Sequence, residues 1–241
     1  TRRSSDLNMD FTHDVCYQGL FFLENALKEG KPSGLKVFGD WPTIYPALSQ
    51  LPPSARESWF AFDHYYSDGA FDAALPHVFA SCPATLYDVG GNTGKWAIRC
   101  SQFDENIAIT LLDLPQQIAL ARENIENAGL SDRIGFHAVD MLGDTPLPTE
   151  ADIWWMSQFL DCFSPEQIVA MLSKVARVMK PGARLCIMEL FWDAQRFEAA
   201  SFSLNASSLY FTCMANGNSR FYGAEKFYGY LDKAGFQVDE R

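Results

Sequence analysis

The sequence predicts an α/β protein: a doubly wound, mostly parallel Rossmann-like sheet preceded by an α-helical segment. Three observations carry that expectation. From Thr85 onward, short β-rich runs alternate with helical stretches, the sequence form of βαβ units around a parallel sheet. The first of those runs ends in "DVGGNTG", with glycines at 90, 91 and 94, where such sheets bring backbone to a ligand. Before residue 84 the texture is different, aromatic and interrupted by prolines, with helical spacing of the apolar residues. We therefore expect a helical segment over 1–83 and a nucleotide-binding Rossmann-like domain over 84–241.

In chain order, "VCYQGLFFLENALKEG" has the spacing of a helix closed by Gly30, and "SARESWFAFDHYY" and "DGAFDAALPHVF" of two more. The expected strands are "TLYDVG", "AITLLDL", "IGFHAVD", "ADIWWMSQF" and "RLCIMELF". Between them lie the helices "TGKWAIRCSQF", "PQQIALARENIENAGL" and "SPEQIVAMLSKVARVM". The last has a helix-start pattern in Ser164, Pro165 and Gln167, and "KPG" stops it. The ending "FQVDER" reads like the middle of a strand, and the chain begins without Met, so a fragment is expected.

Composition excludes several classes. The 241 residues are 48% hydrophobic, enough for a buried core. No apolar run approaches the roughly 18 residues of a membrane span, and no signal-peptide core follows the first charges, so a cytoplasmic location without membrane contact is expected. The formal charge of −11 repels a phosphate backbone, which argues against a nucleic-acid partner. The six cysteines include no C-x-x-C pair, so neither a disulfide framework nor a metal site is expected.

The glycine turn narrows the ligand. The dinucleotide pattern G-x-G-x-x-G begun at Gly90 meets Asn92 and Lys95 where it needs glycine, and a P-loop fails on spacing and on Trp96 after Lys95. Neither NAD nor ATP is therefore expected. What remains is an acid at the end of each of three successive strands. Asp88 precedes the turn, Asp113 is placed to accept from ribose hydroxyls, and Asp140 from an adenine amino group, with Met141 over the ring. Asp88 then meets an amino-acid portion, and the ligand so described is S-adenosylmethionine. Gly90 and Gly94 read as requirements of the loop. Gly91 reads either the same way or as helix–strand packing.

"DVGGNTG", "LLDLP", "AVDML" and "MKPGARLCIMEL", in this order, resemble the S-adenosylmethionine-dependent O-methyltransferases of the acetylserotonin and caffeic-acid type, over roughly residues 56–236. The resemblance implies a class I methyltransferase fold acting on a hydroxyl of a small aromatic molecule in secondary metabolism. Its cofactor set would be Asp88, Gly90, Gly94, Asp113, Leu114, Asp140 and Met141, with Ser157 and Tyr66. It also implies an N-terminal winged-helix domain before Thr1 that makes the full-length protein a homodimer, and a closing strand pair after Arg241. The family's general base is a His in L-H-D-W after the fourth strand. Here the stretch reads "MSQFLDCFS", which puts Asp161 at the His position and Phe163 at the Trp position. Glu189 matches a glutamate that braces that His, and the second bracing position falls near "NGNSRF", at Ser219 or Arg220. Asp161, Glu189 and His64 are the candidate catalytic residues. Phe62, Tyr65, Tyr66, Trp154, Trp155, Phe159, Trp192, Tyr210, Phe211 and Met214 lie where the family builds its acceptor pocket. Two rivals stand beside O-methylation. One is transfer to carbon or nitrogen, and the other is a protein that keeps the cofactor without turnover.

Overall fold

The protein was analysed as a computed structural model in which residues 4–241 are described. Five strands form one sheet: β1 Thr85–Val89, β2 Ala108–Asp113, β3 Ile134–Ala138, β4 Ile153–Ser157 and β5 Arg184–Met188. Their order is β3-β2-β1-β4-β5 and every pairing is parallel. The direction of winding therefore reverses between β1 and β4, the place where open α/β sheets leave a crevice beyond their strand ends. The α/β expectation holds. Each strand is shorter than its apolar run. β5, for instance, stops at Met188, whose carbonyl accepts the Gln158 amide at 2.9 Å.

By internal contacts the chain divides into two compact units, and the division is interleaved, unlike a single cut near residue 83. One unit comprises 67–160, 166–189 and 231–241, and it contains the sheet. Its core gathers Leu86, Ile109, Leu111, Ile134, Ile153 and Trp155 from the strands with helical Trp96, Ala97, Ile118, Ala121 and Ile125. These last residues lie on Lys95–Phe103 and Pro115–Asn127, the crossover helices that the parallel topology requires. The Trp96 and Trp155 rings stack at 4.1 Å, so Trp155, like the fully buried Trp154, is a core residue of the sheet. The final residues 236–241 carry no strand pairing, contrary to the expectation for "FQVDER". Glu240 is instead ion-paired with His77 at 3.0 Å.

Among the described residues, the other unit comprises 4–66, 161–165 and 190–230. Its core joins Phe11, Val15, Leu35, Ile44 and Leu48 to Tyr210, Phe211, Met214 and Phe221, residues far apart in sequence. That burial, about 25 cal/mol per Å² of apolar surface, explains why residues after 190 belong with the N-terminal helices. The single helix expected over 15–30 is broken into a π-turn Thr12–Cys16, a 3₁₀ turn Gly19–Phe22 and a helix Leu23–Glu29, which Gly30 closes with φ of 62°. Packing at the 3₁₀ turn is tight: a Cβ at Gly19 would lie 1.9 Å from Met214 Sδ. Among the described residues, no helix is long and apolar enough to cross a membrane.

Candidate active site

The glycine turn is built from the sheet upward. Asp88 is 2% exposed on the central strand, beside Leu111 of β2 and Trp155 of β4. After Val89 the chain turns back at Gly90, whose φ is 71° and whose amide donates to the Leu112 carbonyl at 2.8 Å. Gly94, with φ of 78°, opens the helix Lys95–Phe103. The structure gives Gly90 and Gly91 a reason that the pattern alone did not. A Cβ at Gly90 would fall 2.2 Å from the Phe159 ring, and one at Gly91 would fall 2.6 Å from Leu111 and 2.8 Å from the Asp88 carboxylate. These side chains are missing to let the protein's own groups approach, and Gly91 belongs to the packing.

Asp113, at the tip of β2, ties this turn down. Its Oδ2 accepts from the Asn92 amide at 2.8 Å and its Oδ1 from the Leu114 amide at 2.7 Å. Asn92 has a φ of 48°, a conformation for which asparagine is the most suitable residue after glycine, and that preference is the signal by which it could have been picked out. Burial raises the Asp113 carboxyl to about 6, against the pull of those two amides. Asp88 rises further, to about 8, through burial first and then the nearby Asp113 charge, with the Ala97 amide opposing. Asp88 Oδ2 and Ser157 Oγ are buried without a hydrogen-bond partner among the described residues.

Those orphaned polar atoms fit a bound cofactor with cationic and hydroxyl groups. Asp113, whose oxygens each keep a second lone pair, can still accept from a ribose. Asp140 is exposed and accepts the Leu142 amide at 2.9 Å, which shapes the turn after β3, while Met141 is 5% exposed. Leu114 is half-buried at the start of Pro115–Asn127. All these residues lie in the sheet-containing unit. Tyr66 lies in the other, where its hydroxyl accepts from Asn8 Nδ2 at 2.8 Å.

The catalytic candidates divide in the same way. Glu189 follows β5, and its Oε1 accepts the amides of Phe159 and Leu160 at 3.0 and 2.8 Å. It therefore fixes the backbone immediately before Asp161. Asp161 belongs to the helical unit and is 5% exposed. Burial pushes its carboxyl to about 7, with the Cys162 thiol hydrogen bond opposing and the charge of Asp63 adding. The thiol lies 3.5 Å from Asp161 Oδ1. His64, on the helix Pro53–Asp68, stacks on Phe60 and has Nδ1 4.0 Å from Asp63 Oδ2. Sequence reasoning did not single out Asp63. Ser219, at the second bracing position, is 3% exposed and bonded to Asn216.

The sequence model of the O-methyltransferase domain matches residues 71–237. The chain belongs to this O-methyltransferase family. Among curated members it is 26% identical to L-tyrosine C(3)-methyltransferase of Streptomyces lavendulae over 95% of its own length and 62% of the relative's. It is 32% identical to 3-hydroxy-5-methyl-1-naphthoate 3-O-methyltransferase of Streptomyces sahachiroi over 50% of its length and 35% of the relative's. Among solved structures it resembles the apo form of the S-adenosylmethionine-dependent methyltransferase SibL, with a TM-score of 0.72, 25% identity, and coverage of 96% of this chain and 68% of that one. The chain thus spans about three fifths of the length of the first curated relatives. The fold of these O-methyltransferases is the class I α/β fold described above.

Proposed function

We propose that the protein is an S-adenosylmethionine-dependent methyltransferase that acts on a hydroxyl of a small aromatic molecule. The observation that carries the reading is the pair of carboxyls on either side of the glycine turn, Asp88 buried with an unpartnered oxygen and Asp113 part-buried, at the strand ends of a family member. When bound, the cofactor supplies a methyl group already activated on a sulfonium. The chain's residues then have to hold, align and deprotonate. Asp88 would hold the cofactor's ammonium, Asp113 the ribose hydroxyls, and Asp140 the adenine amino group with Met141 against the ring. Leu114, Ser157, Gly90, Gly94 and Tyr66 complete the proposed set.

Asp161 is the proposed base. A carboxylate of ordinary affinity is a poor match for a phenol near ~10. Raising Asp161 from 3.8 to about 7 closes roughly 4 kcal/mol of that gap. Asp161 would accept the acceptor's O–H proton, leaving the acceptor oxygen free to act as nucleophile. Glu189 steadies the preceding backbone, and His64 is the alternative base. Transfer to carbon or nitrogen is the second reading, favoured by the replacement of the usual His by Asp161 and by the likeness to a tyrosine C-methyltransferase. The proposal extends to a cytoplasmic homodimer for the whole protein, working in secondary metabolism.

The test is turnover on a panel of phenols, aromatic amines and phenolic amino acids, with the site of methylation read by NMR. O-methyl products support the proposal. Exclusive C- or N-methylation selects the second reading, and tight cofactor binding without any turnover selects a silent binding protein. A prediction for the cofactor site accompanies it. Asp113→Ala is expected to lose about 1.5–3 kcal/mol of cofactor affinity, about 10- to 150-fold, for a charge-assisted contact. Calorimetry that shows unchanged affinity in a folded variant rules out the ribose assignment.

A further inference from the structure

Beyond the end of β4 the chain makes a turn that the end of β5 holds in place. Ser157, the last residue of β4, pairs with Met188, the last of β5. The next residue, Gln158, has a φ of 45°, a conformation that residues other than glycine seldom adopt, and its amide donates to the Met188 carbonyl at 2.9 Å. Glu189 Oε1 then accepts the two following amides, of Phe159 and Leu160, at 3.0 and 2.8 Å. The end of β5 thus takes up three successive amides, and surroundings of this kind are what keep a residue in a sparsely populated region. Leu160 is fully buried, which anchors the far end of the turn. Phe159 is half-buried, and its ring lies against the glycine loop that follows β1: a Cβ at Gly90 would fall 2.2 Å from the ring's Cδ2 and 2.8 Å from its Cε2 and Cγ. Gly90 has a φ of 71°, and its amide donates to the Leu112 carbonyl at 2.8 Å. The orphaned atoms that fit the cofactor flank this contact in sequence, Asp88 Oδ2 two residues before Gly90 and Ser157 Oγ two residues before Phe159. All of these residues belong to the sheet-containing unit.

We propose that Glu189 is a positioning residue for the cofactor loop: by holding the amides of Phe159 and Leu160 it sets the Phe159 ring against Gly90, and the ring fixes where the loop stands when the cofactor binds. Glycine has the widest backbone freedom of any residue, so the place of Gly90 has to be imposed by its neighbours. An aromatic ring held by its own backbone is a rigid neighbour of that kind. Phe159 then serves the cofactor side of the site instead of the acceptor pocket, and Glu189 has a task that involves no proton transfer. The consequence for affinity rests on the cofactor site proposed above. The hold of Glu189 on the loop does not.

The experiment reads the loop and the ligand separately, in the full chain. In the ligand-free protein, hydrogen exchange of the ¹⁵N-labelled Gly90 amide is followed by NMR. It is expected to be about 10-fold or more faster in Glu189→Ala and in Phe159→Ala, and no faster in the double variant than in Phe159→Ala. Calorimetry with S-adenosylhomocysteine is expected to show the same pattern, with Kd raised about 5-fold or more in each single variant and the double variant within about 2-fold of Phe159→Ala. Glu189→Gln keeps an oxygen that can accept both amides, so its Kd is expected to stay within about 2-fold of wild type. Unchanged Gly90 exchange in the folded single variants overturns the proposal, as do effects of Glu189→Ala and Phe159→Ala that add in the double variant, or a Glu189→Gln protein as weak as Glu189→Ala. If Glu189→Ala does not fold, Glu189→Asp, whose carboxylate is one methylene too short to reach the two amides, is read by the same criteria. Should the wild-type chain bind no S-adenosylhomocysteine, the cofactor reading fails, and the exchange pattern still decides whether Glu189 positions the loop.

Discussion

Asp161→Asn is expected to keep wild-type cofactor affinity and to lower turnover about 10²-fold or more, the usual scale for a positioned base. The argument runs through its surroundings. Asp161 is 5% exposed, so its charged form is poorly solvated and burial raises its carboxyl to about 7. A base of that strength is half ionised near neutrality, so the wild-type rate should rise with pH through about 7 and level off above it. The variant's rate should lack that limb. Acceptors with more acidic hydroxyls should suffer less, because they ionise with less help. Near-normal turnover of Asp161→Asn across the pH range would reduce Asp161 to a turn residue and move the search to His64 or Glu189, with Glu189→Gln then showing the larger loss.

The ligand-free Asp88→Asn protein is expected to be more stable than wild type at alkaline pH. Asp88 is 2% exposed, and its carboxyl is raised from 3.8 to about 8 by burial and then by Asp113. A raised carboxyl favours folding in its protonated form. Its contribution is therefore complete below about 3.8 and is lost as pH rises through about 8. At pH 9 the folded protein has to carry a buried charge, at a cost of up to about 6 kcal/mol, which an amide of the same shape avoids. Asp113 and Asp161, raised to about 6 and about 7, lean the same way and remain in the variant. Melting curves from pH 4 to 9 should show wild type falling further with pH than Asp88→Asn, and the variant should bind the cofactor less well. Equal melting temperatures at pH 9 would sink the claim that Asp88 is desolvated. Calorimetry in buffers of different ionisation enthalpy gives a second reading: if a cofactor ammonium meets Asp88 at pH 7, binding releases a proton, and Asp88→Asn abolishes that release.

The residues of the candidate site differ in how far the sequence could place them. Asp113 was legible because a β-rich run, an acid and "LP" before a helical stretch mark the end of a strand, and strand ends are local. Asp63 was not, because nothing in "FAFDHYY" shows that the charge of its fourth residue acts on Asp161, almost a hundred positions later. The helix expected over 15–30 was only partly met: its apolar spacing is helical, yet the chain forms a 3₁₀ turn over Gly19–Phe22, where Gly19 lies against Met214 from a distant stretch of chain.

The sequence by itself determined the alternation of strands and helices, the glycine turn after the first strand, the acids at three strand ends and the absence of the usual histidine. Each follows from side-chain periodicity and backbone freedom within a few neighbouring residues. The tertiary structure alone decided that Gly90 yields to Phe159, that Trp155 packs on Trp96 inside the sheet's core, and that residues 190–230 join the N-terminal helices. It also decided that Asp161 is buried deeply enough to hold a proton near neutrality. Desolvation and close packing depend on which distant segments meet, and no local pattern carries that information.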